Sequence, residues 1–247
     1  MSVQDVEPNY LDALRGLPCI TPSELLAGRH LVVVAPHPDD ESLGMGGLLA
    51  AAQAQGTGVT VVFLTDGEAS HVGSPTFPPA RLGETRRVEA TRALAALGIP
   101  AESAHFFGLG DSRLPYLGRD NSEQVMKQLR EVVPGSGALV CVTSDTDAHG
   151  DHRAASILVR RIPWPEAVEV MHFPVWTWRV EGEHLPAKAP AGYRVDVRPF
   201  LDAKRAAIAS HRSQHGEVVH DAAEAFELEP GFVQGFLGPT ETLTWPT

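Results

Sequence analysis

The chain has little cysteine: two residues among 247, Cys19 and Cys141, with no metal-type spacing between them. A chain this long buries roughly 70–75% of the surface it exposes unfolded, so its core needs neither disulfides nor a structural metal. Cys141 lies inside an apolar run and reads as a buried thiol acting as a small hydrophobe. No segment reaches 18 consecutive apolar residues, and the first sixteen lack both a basic region and an apolar region of signal-peptide type. Neither membrane spanning nor export is therefore expected. No dense Lys/Arg run occurs, and 31 acids against 20 bases give a net charge of −11. That balance excludes nucleic acid and anionic membrane as partners. There is no GxGxxG loop and no GxSxG elbow, which removes the dinucleotide and serine-hydrolase signatures. The GMGG run of Gly44, Gly46 and Gly47 comes after an acidic cluster rather than opening a turn, and reads as small residues that let a helix pack closely. Repeats and low-complexity tracts are also missing. These absences leave a reduced, cytoplasmic protein.

What is present is ordinary globular composition, 43% hydrophobic and 21% charged, together with eleven histidines. Continuous apolar runs at 31–34, 59–65, 105–107, 138–143 and 167–173 alternate with helical patterns at 41–55, 80–97, 121–133 and 152–161. Strands too continuously apolar for one-faced burial, separated by helices, predict an α/β, Rossmann-like, mostly parallel sheet sandwiched between helices. Residues 70–80 read as a loop, 173–199 as irregular, 200–211 as a helix, and 217–230 as helical in composition. One domain over 1–247 is expected, with a core at about 30–215 and an irregular, substrate-facing C-terminal part from about 173.

Open parallel sheets bind ligands at the carboxyl ends of their strands. Two polar motifs fall there. Pro36-His37-Pro38-Asp39-Asp40-Glu41 follows the first apolar run directly, with His37 and Asp40 three residues apart across a strand–helix turn. Taken alone it could be a solvated helix start, where acids suit the dipole. Asp147-Ala148-His149-Gly150-Asp151-His152 follows the 138–143 run, and taken alone could be a polar loop with a helix cap. Together the motifs offer His37, Asp40 and His152, two imidazoles and one carboxylate with room for water, the donor set of a catalytic zinc site. Iron(II), cobalt and manganese are compatible with the same donors.

The motifs resemble those of the PIG-L/LmbE-like de-N-acetylase family, whose AHPDDE and HPDH elements stand here as PHPDDE at 36–41 and HGDH at 149–152. Thr65-Asp66-Gly67-Glu68, Arg86 with Glu89, Leu97-Gly98, Gly110-Asp111-Ser112-Arg113-Leu114, and Lys204 with His211-Arg212-Ser213-Gln214 extend the resemblance over residues 30 to about 215. The resemblance implies zinc on His37, Asp40 and His152, Asp39 as general base, and removal of an N-acetyl group from an N-acetylglucosamine-type conjugate. On that footing His149 is expected to stabilise the oxyanion or protonate the leaving amine, Asp151 to orient His149, and Arg86 and Asp111 to contact sugar hydroxyls. Gly150 replaces the family's proline, and Asp147 stands where some members carry a tyrosine. The same fold acting on another acyl or thiol conjugate, and a non-catalytic sugar- or metal-binding relative, are the alternatives. A small amino-sugar is the expected partner, and a homo-oligomer is compatible with the sequence.

Overall fold

The computed structural model describes residues 9–180, 185–186 and 190–246; the expectations for the first eight residues and for 181–184, 187–189 and 247 lie outside them. In chain order the elements are α1 (Tyr10–Arg15), β1 (Cys19–Ile20), α2 (Pro22–Leu26), β2 (His30–Ala35), α3 (Asp40–Ala54), β3 (Val59–Thr65), β4 (His71–Val72), α4 (Pro79–Ala96) and β5 (Ala104–Leu109). There follow α5 (Arg119–Val132), β6 (Ala138–Thr143), α6 (Gly150–Arg160), β7 (Val168–Phe173), β8 (Gly192–Asp196), α7 (Leu201–Ser210), β9 (Glu224–Ala225), α8 (Pro230–Phe236) and β10 (Thr240–Thr244).

An eight-stranded sheet runs in the order β1-β8-β10-β7-β6-β2-β3-β5. From β7 to β5 every neighbouring pair is parallel, while β10 lies antiparallel between β7 and β8. The alternation of side chains along a strand divides the core in two. Leu31, Val33 and Ala35 with Leu139 and Cys141 face one hydrophobic cluster, under α3, α4 and α7. Val32 and Val34 with Val140 and Val142 face the other, which takes in Val125 and Leu129 of α5 and Ala155, Leu158 and Val159 of α6. Both faces are covered, as the continuous apolar runs predict. From β2 the chain crosses to β3 and β5 on one side, then returns to lay β6 on the other. The sheet therefore has its topological switch point between β2 and β6, and the crevice above it is where ligands bind in such folds.

Helix α3 is buried along nearly its whole length. A methyl group at Gly44 would overlap the Phe173 ring, and one at Gly47 would come within 2.5 Å of Val197 Cβ. The glycines thus allow the close approach expected of them. Beside them a buried ion pair joins Lys204 Nζ to Glu241 Oε1 at 2.7 Å, and the Glu241 carboxylate also accepts the N–H groups of Gly47 (2.7 Å) and Leu48 (2.8 Å). Lys204 is consequently a strut between α7, α3 and β10, remote from the chemistry.

Two expectations are corrected. The segment 217–230, expected to be helical, is not: 224–225 pair as β9 with β4, and the helix begins only at its last residue, Pro230. The segment 173–199 is not wholly irregular, since it holds a 3₁₀ turn at Trp176–Arg179 and strand β8. Strands β1, β8 and β10 are short or polar, with side chains such as Glu241 that bury only because a partner arrives from elsewhere, so no apolar run announces them. Among the described residues, no helix is long and apolar enough to cross a membrane.

Gly44→Ala should gain up to about 1 kcal/mol of helix propensity and lose about 1–3 kcal/mol to overpacking, lowering the urea midpoint overall. Gly231→Ala in α8, where nothing stands within 4 Å of the added atom, should instead raise stability by up to about 1 kcal/mol through helix propensity alone.

Candidate metal centre

The loop after β2 carries His37, Asp39 and Asp40, and the loop after β6 carries Asp147, His149 and the start of α6. The first loop is tied down by Thr65 at the end of β3, whose backbone N–H and hydroxyl both donate to Pro36 O, at 3.0 and 2.8 Å. The convergence centres on Asp40 Oδ2, which lies 3.3 Å from His37 Nδ1 and 3.2 Å from His152 Nε2, and accepts the His37 backbone N–H at 3.0 Å. Donor atoms around a tetrahedral ion with bonds of about 2.0–2.1 Å stand about 3.3–3.4 Å apart. The two separations from Asp40 Oδ2 have that spacing.

The far nitrogen of each imidazole is clamped by carboxylate. His152 Nδ1 lies 2.8 Å from Asp147 Oδ2, which leaves its buried Nε2 with no hydrogen-bond partner among the described residues. His37 Nε2 lies 3.2 Å from both Asp111 Oδ1 and Asp151 Oδ2. Carboxylates in this position fix the tautomer of a metal-binding histidine and raise its basicity. The surrounding charge makes the same point. Burial would lower both imidazole pKa values, yet the neighbouring carboxylates raise His37 well above the usual range and His152 to about 9. Asp40, although buried, is held far below the ordinary carboxylate range by His152 and His37. The site demands positive charge at Asp40, which a divalent ion supplies in place of two protons. His37, Asp111 and Asp151 also bring donor atoms within 4.8 Å of one another, as do His37, His149 and His152. In the carboxylate set the acids are already occupied by backbone N–H groups: Ala69 on Asp111, and Ser112 and Leu114 on Asp151. The orphaned His152 Nε2 instead favours the Asp40 side.

Asp39 sits at the N-cap of α3 with φ 134° and ψ −31°, and its side chain does not cap the helix. Such a conformation costs a non-glycine residue about 1–3 kcal/mol and persists only where surroundings enforce it. It turns the carboxylate toward Arg86, whose Nη2 donates to Asp39 Oδ2 at 3.0 Å and also to Pro38 O, while Nη1 donates to Gly67 O at 2.8 Å. Gly67, at φ 65°, has no side chain because the Arg86 guanidinium fills that space. Burial pushes the Asp39 carboxyl up to about 6, with Arg86 pulling the other way.

His149 caps α6, its Nδ1 accepting the Asp151 backbone N–H at 3.2 Å. Burial, with His37 and His152 nearby, lowers its pKa to about 4. A neutral ring that accepts at Nδ1 carries its proton on Nε2 and offers a hydrogen-bond donor.

A cavity of about 170 Å³ opens over these groups, lined by His37, Asp39, Asp40, Arg86, Asp111 and His149 and closed by Ser112, Leu43, Gln214, Trp176 and Phe226. A larger cavity of about 600 Å³, beside Trp178 and Phe236, has no histidine or cysteine among the described residues of its walls.

The structure thus brings together every residue expected at the site, but changes what some of them touch. Asp151 orients His37 with its carboxylate and meets His149 only through its backbone N–H. Arg86 and Asp111, expected at sugar hydroxyls, hold Asp39 and His37, although both still border the cavity. Arg86 makes no ion pair with Glu89, which instead accepts from the backbone and hydroxyl of Ser213. Asp147, noted in the sequence only as a replaced tyrosine, fixes His152 and is itself held by the N–H groups of Val175 (3.2 Å) and Thr177 (2.7 Å). His172 bonds Ser156, and His71 bonds Ser70, as packed histidines do. Trp176 is core and wall at once, stacked on Phe232 at 4.7 Å. Ser112 and Gln214, named in the sequence only as parts of the resembling motifs, also line the cavity, and Phe226, which no motif marks, is delivered there by long-range folding alone.

A carboxylate between two carboxylate-clamped imidazoles, with a further buried acid beside it at the switch point of a parallel sheet, defines a metal-dependent hydrolase of α/β fold. Residues 32–162, more than half of the chain, match the family described as PIG-L, GlcNAc-PI de-N-acetylase. The chain belongs to that family and is an N-deacetylase by class. It is 26% identical over 224 residues to a probable N-acetyl-α-D-glucosaminyl L-malate deacetylase 2 of Bacillus anthracis, covering 88% of this chain and 91% of the relative. Identity is 24% over 208 residues to the diacetylchitobiose deacetylase of Thermococcus kodakarensis, covering 80% and 74%. Among solved structures, the conserved protein TT1542 of Thermus thermophilus superposes with a TM-score of 0.62 at 26% identity, over 89% of this chain and 95% of that one.

Asp147→Asn should lower metal affinity by about 10- to 100-fold, since the amide can present the wrong hydrogen-bonding face to His152 Nδ1. Chelator competition measures this, and unchanged affinity would show that Asp147 does not tune a ligand.

Proposed function

We propose that the chain hydrolyses the N-acetyl amide of an N-acetylglucosamine-type conjugate, giving acetate and a free amine, with zinc held by His37, Asp40 and His152. The observation that carries this reading is Asp40 Oδ2 poised between two imidazole nitrogens, with Asp39 and His149 beside it in one small cavity. Zinc supplies Lewis acidity, lowering the pKa of water to about 7 and polarising a carbonyl.

The chain's own residues account for the remaining work. Asp39 is the base: its carboxylate is ionised at neutral pH, yet burial raises its pKa toward the working range, where proton transfer is efficient. It takes the proton of the attacking water as oxygen bonds to the amide carbon. Arg86 engages Oδ2 of Asp39, which leaves the other oxygen to receive that proton. His149 donates from Nε2 to the oxygen on which charge develops, the role a missing tyrosine would otherwise fill. As the C–N bond breaks, the proton gathered by Asp39 passes to the leaving nitrogen. Asp151 and Asp111 hold His37, and Asp147 holds His152, so that the donors keep their positions throughout.

The cavity lies below the roughly 300–1,000 Å³ typical of drug-sized ligands, which suits an acetamide and part of one ring with the aglycone outside. The two deacetylases of related sequence act, by name, on N-acetylglucosamine conjugates with different aglycones. We further infer a cytoplasmic protein with a small-molecule substrate.

Acetate release should be measured with zinc-loaded protein across a panel of N-acetylglucosamine conjugates, using Asp39→Asn as the paired variant. Turnover of one or two members is expected, with the variant slower by about 10²-fold or more at unchanged zinc content. Full activity in Asp39→Asn would overturn the base assignment. No release from any conjugate by fully loaded protein would overturn the substrate class.

A further inference from the structure

The Asp39 backbone is held in a conformation that no helix-capping bond from its own side chain stabilises, and the residues that hold its N–H come from distant parts of the chain. An aspartate at a helix N-cap ordinarily accepts N–H groups from the first turn. Here that bond is absent, and only the return half of a capping arrangement exists: the Asp39 N–H donates to Glu41 Oε2 at 2.9 Å. The other oxygen of Glu41 accepts from Ser42 Oγ at 2.6 Å and from His211 Nε2 at 3.0 Å. Glu41 and His211 are both fully buried, and they stand 170 residues apart in the sequence. Neither lines the cavity.

His211 ends α7 and begins the turn that carries Ser213 and Gln214. That turn is bolted to α4, since Ser213 donates to Glu89 from both its backbone and its hydroxyl, at 2.8 and 2.6 Å. Three residues earlier on α4 is Arg86, which grips the Asp39 carboxylate. Asp39 is therefore held twice, at its N–H through Glu41 and His211 and at its carboxylate through Arg86, and both holds are referred to one helix. If Glu41 were lost, the Asp39 N–H would be buried without an acceptor, and nothing on the backbone side would oppose its return to a relaxed capping conformation, with the carboxylate turned onto the helix.

We propose that Glu41 and His211 are positioning residues for the general base: they act on Asp39 through its backbone and touch neither substrate nor ion. The kinetic consequence rests on the deacetylase reading above; the structural consequence does not.

The test uses the full chain and the variants Glu41→Leu, which leaves no acceptor for the Asp39 N–H, and His211→Phe. Glu41→Leu should lower kcat by about 10- to 100-fold, the loss a displacement of about 1 Å produces, with KM within twofold and zinc content unchanged. Placed in the Asp39→Asn background, it should lower kcat no further, because the group it positions is already disabled. In metal-free protein, amide exchange of the peptide spanning 36–43 should be faster than in the unmodified chain, and a crystal structure should show Asp39 φ returned to negative values. His211→Phe should shift all readouts in the same direction, and serves if Glu41→Leu does not fold. Losses that multiply in the double variant, or exchange and Asp39 φ left unchanged in both single variants, would overturn the proposal. The exchange and crystallographic results decide it even if no N-acetyl substrate is turned over.

Discussion

The arrangement depends on a buried carboxylate, Asp40, facing two imidazoles whose other nitrogens are already committed to acids. Burying one ionised carboxylate without compensation is prohibitive, and here Asp111, Asp147 and Asp151 gather within the same few ångströms. Such a set is tolerable only around a positive centre. Protons on the histidines or a bound cation both meet that requirement, and the outer acids hold the two imidazoles in either case. The folding of the two loops and the chemistry of the site are thus answers to the same electrostatic requirement.

The sheet makes the requirement geometrically achievable. Strands β2 and β6 are neighbours whose chains depart in opposite directions, so their following loops rise on either side of one crevice. Parallel pairing fixes the register of Val34 against Val142, and with it the height of His37 relative to the loop that ends at His149 and His152. The glycines of α3 then let that helix lie against Phe173 and Val197, bringing its first residues to the crevice floor. Packing on one side of the sheet and hydrogen bonding at its end are in this way coupled through a single helix.

Much of this was legible because the donors flank unmistakable strands. His37 and Asp40 follow a four-residue apolar run, and His149 and His152 stand shortly after another, so residue type and strand ends sufficed to group them. What escaped was anything decided by orientation. Asp151 was expected to orient His149 with its carboxylate; it meets that ring only through its N–H, because position two of a helix presents its backbone to the cap and leaves the carboxylate free to reach His37. Arg86 was expected to make a sugar contact; helical spacing brings it to one face with Glu89, but the tertiary fold gives the two residues separate partners, Asp39 and Ser213. Asp147 was noticed as the absence of a tyrosine, and its bonds to Val175 and Thr177 depend on a 3₁₀ turn that no pattern announced. The bond of Glu41 to His211 is purely tertiary.

The central claim is that His37 Nδ1, Asp40 and His152 Nε2 form the ligand set, with His149 left as a donor. Anomalous diffraction at the zinc edge, from crystals of the protein loaded with one equivalent of zinc, tests it most directly. The account predicts a single peak about 2.0–2.2 Å from those three atoms, with His149 outside bonding distance and its Nδ1 still on the Asp151 N–H. A peak between His37 Nε2, Asp111 and Asp151, or one ligated by His149 in place of Asp40, would contradict it.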